Sequence, residues 1–264
     1  MLLGSSPAKN DRSPVWTPES DPVIITSVKF FEKNGGNFNS SKSFHSFAGQ
    51  MEDENEHKIH IRNRALQLFM QYGARSVSMD DIASAVGSSK KTIYQYYTDK
   101  DQLVGDAIEM LLQDNCVHCK TFHAISDNAV QEGFLAIEQT SELFRNMNPV
   151  LMNDLKKYHP RAYKKFVDYK NEFIYDVIKT NIKRGIGEGL YRDDFNIDII
   201  AQFRVGSIDV LFMPEFYSRL KDSLFQVQLE LFYFFLHGMA TAKGQKLIEK
   251  YKKHKPKNNS DAKD

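Results

Sequence analysis

Cysteine is scarce in this chain: its 264 residues include two, Cys116 and Cys119. Two cysteines cannot make a disulfide framework, which points to a reducing, cytoplasmic setting. No run approaches the ~18 consecutive apolar residues needed to cross a bilayer. The first residues lack the compact basic stretch and apolar core of a secretory leader, so neither membrane insertion nor export is expected. An excess of one charge is also missing. The 35 Lys and Arg face 34 Asp and Glu, for a net charge of +1. That excludes a generally polycationic protein, and any attraction to nucleic acid has to be local. Catalytic signatures are absent too: there is no G-x-S-x-G, no H-E-x-x-H and no P-loop, and hence no assembled nucleophile, base or metal for an enzyme. The sequons Asn39-Ser40-Ser41 and Asn258-Asn259-Ser260 mean nothing in a cytoplasmic chain.

What is present is concentrated between Ser76 and Leu103, SVSMDDIASAVGSSKKTIYQYYTDKDQL. Ser78 with Asp81 three residues on makes a capping-box pattern, and places a carboxylate at the positive end of a helix. Met79, Ile82, Ala83 and Val86 then recur at helical spacing. Gly87 ends that helix, because a residue just past a helix end often needs φ > 0. Ser89 caps a second short helix in which Ile93 and Tyr97 point to one side. Lys90, Lys91, Thr92, Tyr94, Gln95 and Tyr96 are left for other faces. A short helix bearing lysines, hydroxyls and an amide, held against a capped partner, suits a DNA major groove. From Glu56 to Gly105 there are seven Lys or Arg against five Asp or Glu, a local basic excess.

This helix-turn-helix resembles the DNA-binding signature of the TetR family of bacterial regulators. The match runs through Ile61, Ala65, Leu66, Leu68, Phe69 and Gly73. It continues through Ser78, Asp81, Ile82, Ala83, Gly87, Ser89, Thr92, Ile93, Tyr94, Tyr96, Tyr97, Lys100 and Leu103. Departures are Arg64, Ala74, Ser88 and Lys91, of which Ser88 loosens the turn and Lys91 changes how the helix meets DNA. About fifty residues carry the likeness. It implies an all-α protein with an N-terminal three-helix DNA-binding head, followed by a helical regulatory and dimerisation domain. It also implies a homodimer on a palindromic double-stranded operator, usually a repressor, released by a small-molecule effector. No enzymatic activity, cofactor or metal is implied. Thr92, Gln95 and Tyr96 are then candidates for base edges. Ser78, Lys90, Lys91, Tyr94 and Lys100 are candidates for phosphates, Ser78 and Lys100 standing near helix N-termini that favour anions. Ser89 belongs to the same interface as cap of the reading helix.

The rest of the chain reads as helix. Residues 1–55 are rich in Ser, Asn, Lys, Gly and Pro without sustained periodicity, and are expected to be a disordered extension. Met51 before the acidic run 52–56 then reads as the natural start; the rival reading makes Lys9, Arg12, Lys29 and Lys33 a basic arm on the DNA backbone. The head spans 56–103, its first helix running from about Glu56 to Tyr72. A ligand-binding and dimerisation domain spans 104–253, and 254–264 is a disordered tail. Thr98 or Asp99 caps a helix reaching about His123. Further helices are expected over Ala129–Met147, Val150–Tyr158 and Arg161–Ile186. Gly185, Gly187 and Gly189 follow a helix rather than a strand, so they end it and do not cradle a phosphate. Ile197–Met213 and Leu220–Ala240 are apolar over too wide an arc for surface helices, and about 197–240 is the expected homodimer interface. Thr241–Tyr251 closes the series.

Two features bear on regulation. Phe134, Phe144, Tyr163, Phe166, Tyr169, Phe173 and Phe203 are candidates to line an apolar effector pocket, against the plainer reading that each is core. Cys116, Cys119 and His123 lie at i, i+3 and i+7 on one helix face. They raise the alternative of a regulator answering to redox or metal, beside one answering to a protein partner. The plainer reading is two buried thiols and a hydrogen-bonded histidine.

Overall fold

The computed structural model describes residues 48–145, 147–217 and 223–253, and among them every regular element is helical. The only β pairing there is an isolated bridge between Tyr191 and Ala240. The order is α1 (Ala48–Tyr72), α2 (Met79–Ala85), α3 (Lys90–Tyr96), α4 (Lys100–Ile125), α5 (Ala129–Arg145), α6 (Val150–Tyr158) and α7 (Pro160–Tyr169). A π-helical segment, Lys170–Ile174, leads on into α8 (Tyr175–Gly187). Then come α9 (Ile197–Val210), the single turn α10 (Pro214–Tyr217), α11 (Leu224–Met239) and α12 (Ala242–Lys253). None is long and apolar enough to cross a membrane.

Side-chain caps define the starts. Ser78 and Asp81 form a reciprocal capping box on α2, Ser89 accepts from the Thr92 N–H on α3, and Asp99 accepts from the Gln102 N–H on α4. Asn196 and Ser223 do the same for α9 and α11. Each such cap is worth about 1 kcal/mol. The α5 start is capped from a distance: a Glu188 carboxylate oxygen accepts the Ala129 N–H at 2.8 Å.

Several limits differ from the sequence reading. α1 begins at Ala48, eight residues before Glu56, because no breaker separates the acidic run from the helix. Residues 1–47, including the stretches around Val23 and Phe30, lie outside the described residues, as does the tail from 254. α9 stops at Val210, where the Leu211 N–H turns back to the Ile208 carbonyl; Pro214 opens α10, a position that suits its missing N–H. α11 starts at Leu224 rather than Leu220, since its cap is Ser223; residues 218–222 lie outside the description. The expected helix 161–186 is interrupted by the π segment.

Two apolar cores result. The first contains Ile61, Phe69, Ile82, Ile93, Tyr97 and Leu103 from α1 to α4, and also Leu151, Met152, Leu155 and Ala162 from α6 and α7. The second gathers Val130, Phe134, Ile137, Ile182, Leu190, Phe232, Leu236 and Ile248. Gly185 belongs to the second: a Cβ there would stand 2.1 Å from the Tyr191 ring, so packing demands glycine. Gly189 ends α8 at φ +68.

A candidate nucleic-acid interface and the cavities behind it

The turn between α2 and α3 is set by Gly87, whose φ is +65, with the Ser88 N–H returning to the Ala83 carbonyl at 2.9 Å. Nothing lies within 4 Å of where a Cβ would be, so conformation alone calls for glycine. Ile93 and Tyr97 are fully buried and fasten α3 to the first core. Their burial turns Lys90, Lys91, Tyr94 and Gln95 to solvent on a helix otherwise held rigidly.

The remaining candidates are differently placed. Ser78 and Ser89 are exposed caps. The Ser78 hydroxyl, then its N–H, holds the Asp81 carboxyl below the usual carboxylate range. Thr92 is half-buried, with its hydroxyl 2.8 Å from the Ser89 hydroxyl, so it is engaged within the helix. Tyr96 is half-buried, its ring centroid 6.1 Å from that of His57. Lys100 is half-buried, its Nζ 3.4 Å from the Arg75 carbonyl, and burial lowers its ammonium against the pull of Asp154 and Asp81.

Asp80 was not singled out in the sequence. It accepts from Lys90 Nζ at 2.9 Å on the open surface, and this contact raises the lysine pKa. The pair of carboxylates in the first turn of α2 was the available signal. Asp80 is a built-in competitor for the phosphate that Lys90 would meet. Asp80→Asn should therefore tighten binding to any duplex, steepen the salt dependence by up to about one charge, and leave sequence preference alone. A salt series by fluorescence anisotropy on two unrelated duplexes checks this; an unchanged slope would refute it.

A joint connects this surface to the helices behind it. Gly73, at φ +84, ends α1, and Asp154 of α6 approaches so closely that its Oδ2 would lie 2.8 Å from a Cβ there. The same oxygen accepts the Arg75 N–H at 2.9 Å. The Asn148 N–H reaches the Met70 carbonyl at 2.6 Å, and His159 Nδ1 lies 2.8 Å from Asp101 Oδ1.

Behind the joint lie two neighbouring cavities of about 140 and 120 Å³. Asn115, Thr140, Ile174, Ile208 and Gln228 line both. Of the seven aromatic candidates, Phe144, Phe166 and Tyr169 line the smaller cavity. Phe134 does not: it is core, edge-on to Phe232 at 5.7 Å. Tyr163 packs beside Phe166, and Phe173 stacks on Tyr169 at 5.6 Å; neither lines either of these two cavities. Phe203 is 55% exposed and lines neither of them, because the helix face it occupies is uncovered among the described residues. Sequence reasoning missed Arg204 and Gln228, which line the larger cavity, since apolar patterning does not mark polar cavity residues.

Cys116, Cys119 and His123 make no metal site: among the described residues no group of three or more His, Cys, Asp or Glu is placed to hold an ion. His123 Nδ1 lies 2.9 Å from Glu132. Burial pushes the Cys119 thiol up to about 12 and raises that of Cys116, the opposite of a reactive thiolate.

Comparison with known proteins agrees with this geometry. Residues 61–107 match the family model described as bacterial regulatory proteins, tetR family. An HTH-type transcriptional regulator of Bacillus subtilis, YvaF, is 29% identical over 145 residues, covering 53% of this chain and 74% of that protein. A TetR-family regulator from Agrobacterium tumefaciens superposes with a TM-score of 0.60 at 14% identity, over 71% of this chain and all of that one (100%). A transcriptional regulator from Saccharomonospora viridis, solved in complex with choline, gives 0.57 at 19% identity, over 71% and 99%. Helix-turn-helix, all-α architecture and relatives agree: residues 61–107 are a TetR-type DNA-binding segment, and the described chain shares the fold of TetR-family transcriptional regulators.

Proposed function

We propose that this protein acts in the cytoplasm as a homodimer on a palindromic operator, as a repressor released by a small molecule held in the cavities behind the joint. The carrying observation is the α3 surface, where Lys90, Lys91, Tyr94 and Gln95 face outward from a helix locked by Ile93 and Tyr97. Gln95 is the most open candidate for a base edge, with Thr92 and Tyr96 at its margins. Ser78, Lys90, Lys91, Tyr94 and Lys100 would position the phosphates. In this reading 56–103 is the reader and 104–253 the sensor and dimerisation domain, flanked by the segments 1–55 and 254–264. A related fold was solved with choline, which supports a sensor for a small organic ligand.

Footprinting on the DNA flanking its own gene tests the reading, with two protected half-sites about one helical turn apart expected. On that site Lys91→Ala should weaken binding to all sequences alike and flatten the salt slope. Gln95→Ala should instead relax preference at particular positions, by about 1–3 kcal/mol. If both variants lose affinity equally on specific and random duplexes, α3 does not read bases.

A further inference from the structure

Arg204 is a buried cation, 9% exposed, on the wall of the larger cavity. The other buried charges of this region are matched: Lys170 pairs with Asp209, and Glu132 with Arg184. No carboxylate among the described residues pairs with Arg204. Its Nη1 donates to the Ser207 hydroxyl at 2.9 Å, and its guanidinium lies 5.8 Å from the Phe235 ring centroid. Burial pulls its pKa down to about 10, which still leaves it charged at neutral pH. A desolvated cation with a neutral hydroxyl and a ring for company destabilises the empty protein. Nearby, Gln228 lines both cavities. Its amide nitrogen donates to Thr140 at 3.2 Å, while its buried Oε1 has no partner among the described residues. The cavity is thus apolar over most of its wall; the one carboxylate that lines it, Glu132, is held by Arg184, which leaves the Arg204 cation and the Gln228 oxygen unmatched.

We propose that the two cavities receive an amphipathic organic acid, its carboxylate against Arg204 and its apolar body along the wall shared by both spaces. This rests on the effector reading above and assigns it a chemical class. A cavity of ~150 Å³ takes benzene, so these two together suit about ten non-hydrogen atoms. The guanidinium offers a carboxylate two parallel donors in a dry site, where a charge-assisted pair is strongest. An organic cation of choline's kind would meet Arg204 as a like charge.

The test uses the full-length protein, with octanoate and 1-octanol as calorimetric probes of matched body. Octanoate should bind at least about tenfold more tightly than octanol, and Arg204→Met should erase the difference while Arg204→Lys keeps part of it. Without ligand, Arg204→Met should melt no lower than the wild type, because a lone buried cation gives way to an apolar chain of similar volume. A lower melting temperature would mark Arg204 as a strut held by Ser207 and Phe235, and overturn the proposal. Equal binding of octanol and octanoate would overturn the acid while leaving an effector cavity; binding of neither would sink both readings. Octanoate bound through Arg204 with unchanged operator affinity would uphold the acid site and remove the effector role.

Discussion

Arg184→Met should cost the fold up to about 3–5 kcal/mol, the penalty for stranding a buried carboxylate, here that of Glu132, although Arg184 itself is only half-buried. For a folded unit of this size that is a fall of roughly 6–20 °C in melting temperature. Arg184 Nη1 lies 3.0 Å from Glu132 and 2.7 Å from the Ser126 hydroxyl, Nη2 lies 2.7 Å from the Ser126 carbonyl, and Nε lies 2.7 Å from Glu188. One guanidinium thereby ties the end of α4, the first turn of α5 and the end of α8, and Glu188 in turn caps α5. The Glu132 side chain is 6% exposed, so without Arg184 only His123, among the described residues, remains paired with it. Removing both, in Arg184→Met with Glu132→Leu, should recover most of the loss, because an apolar pair of similar volume needs no counter-ion. Denaturant titration of the two singles and the double measures the coupling. A single-variant cost below about 0.5 kcal/mol, the range of ordinary surface substitutions, would show that the network holds nothing.

The proposed homodimer should come apart in Phe234→Glu without the chain unfolding. Phe234 on α11 is 71% exposed, and Ile199 and Phe203 on α9 are 66% and 55% exposed. Large apolar side chains left open on two strongly apolar helices are the mark of a surface that another protein covers. In a two-fold dimer each substitution counts twice, and a buried Phe is worth about 1.5–3 kcal/mol, so self-association should weaken by two decades or more. Sedimentation velocity reads the change, and operator binding should collapse with it, since one head holds one half-site. The melting curve of the variant separates dissociation from misfolding. A wild type that sediments as a monomer at micromolar concentration while holding its operator tightly would eliminate this interface.

Much of the head was legible because its determinants are local. Ser78 with Asp81, Gly87, Ser89 and Asp99 each act within four residues, and the structure uses them as caps and turn. The chain beyond Leu103 was legible as helices but not as a site. Apolar spacing says that Phe134, Tyr163 and Phe203 are on some apolar face, not whether that face meets a core, a cavity or another subunit. The shift to π geometry at Lys170–Ile174 leaves no compositional trace. Nor could the isolation of Arg204 be read, because it depends on which acids lie near it in space, and Asp209 and Glu132 are already taken.

The first core does not stop where the reader stops: Leu151, Met152, Leu155 and Ala162 are as much a part of it as Phe69 or Ile82. Asp154 and Asn148 bind the backbone of Arg75 and Met70 across the same seam. The family likeness of 61–107 invites treating that segment as an interchangeable cassette. A hybrid regulator made by exchanging it alone would be cut through close-packed side chains and inherit a mismatched seam. To transplant the proposed operator preference onto another regulator, residues 147–162 would have to travel with the helix-turn-helix segment, as a second, non-contiguous part of the same graft.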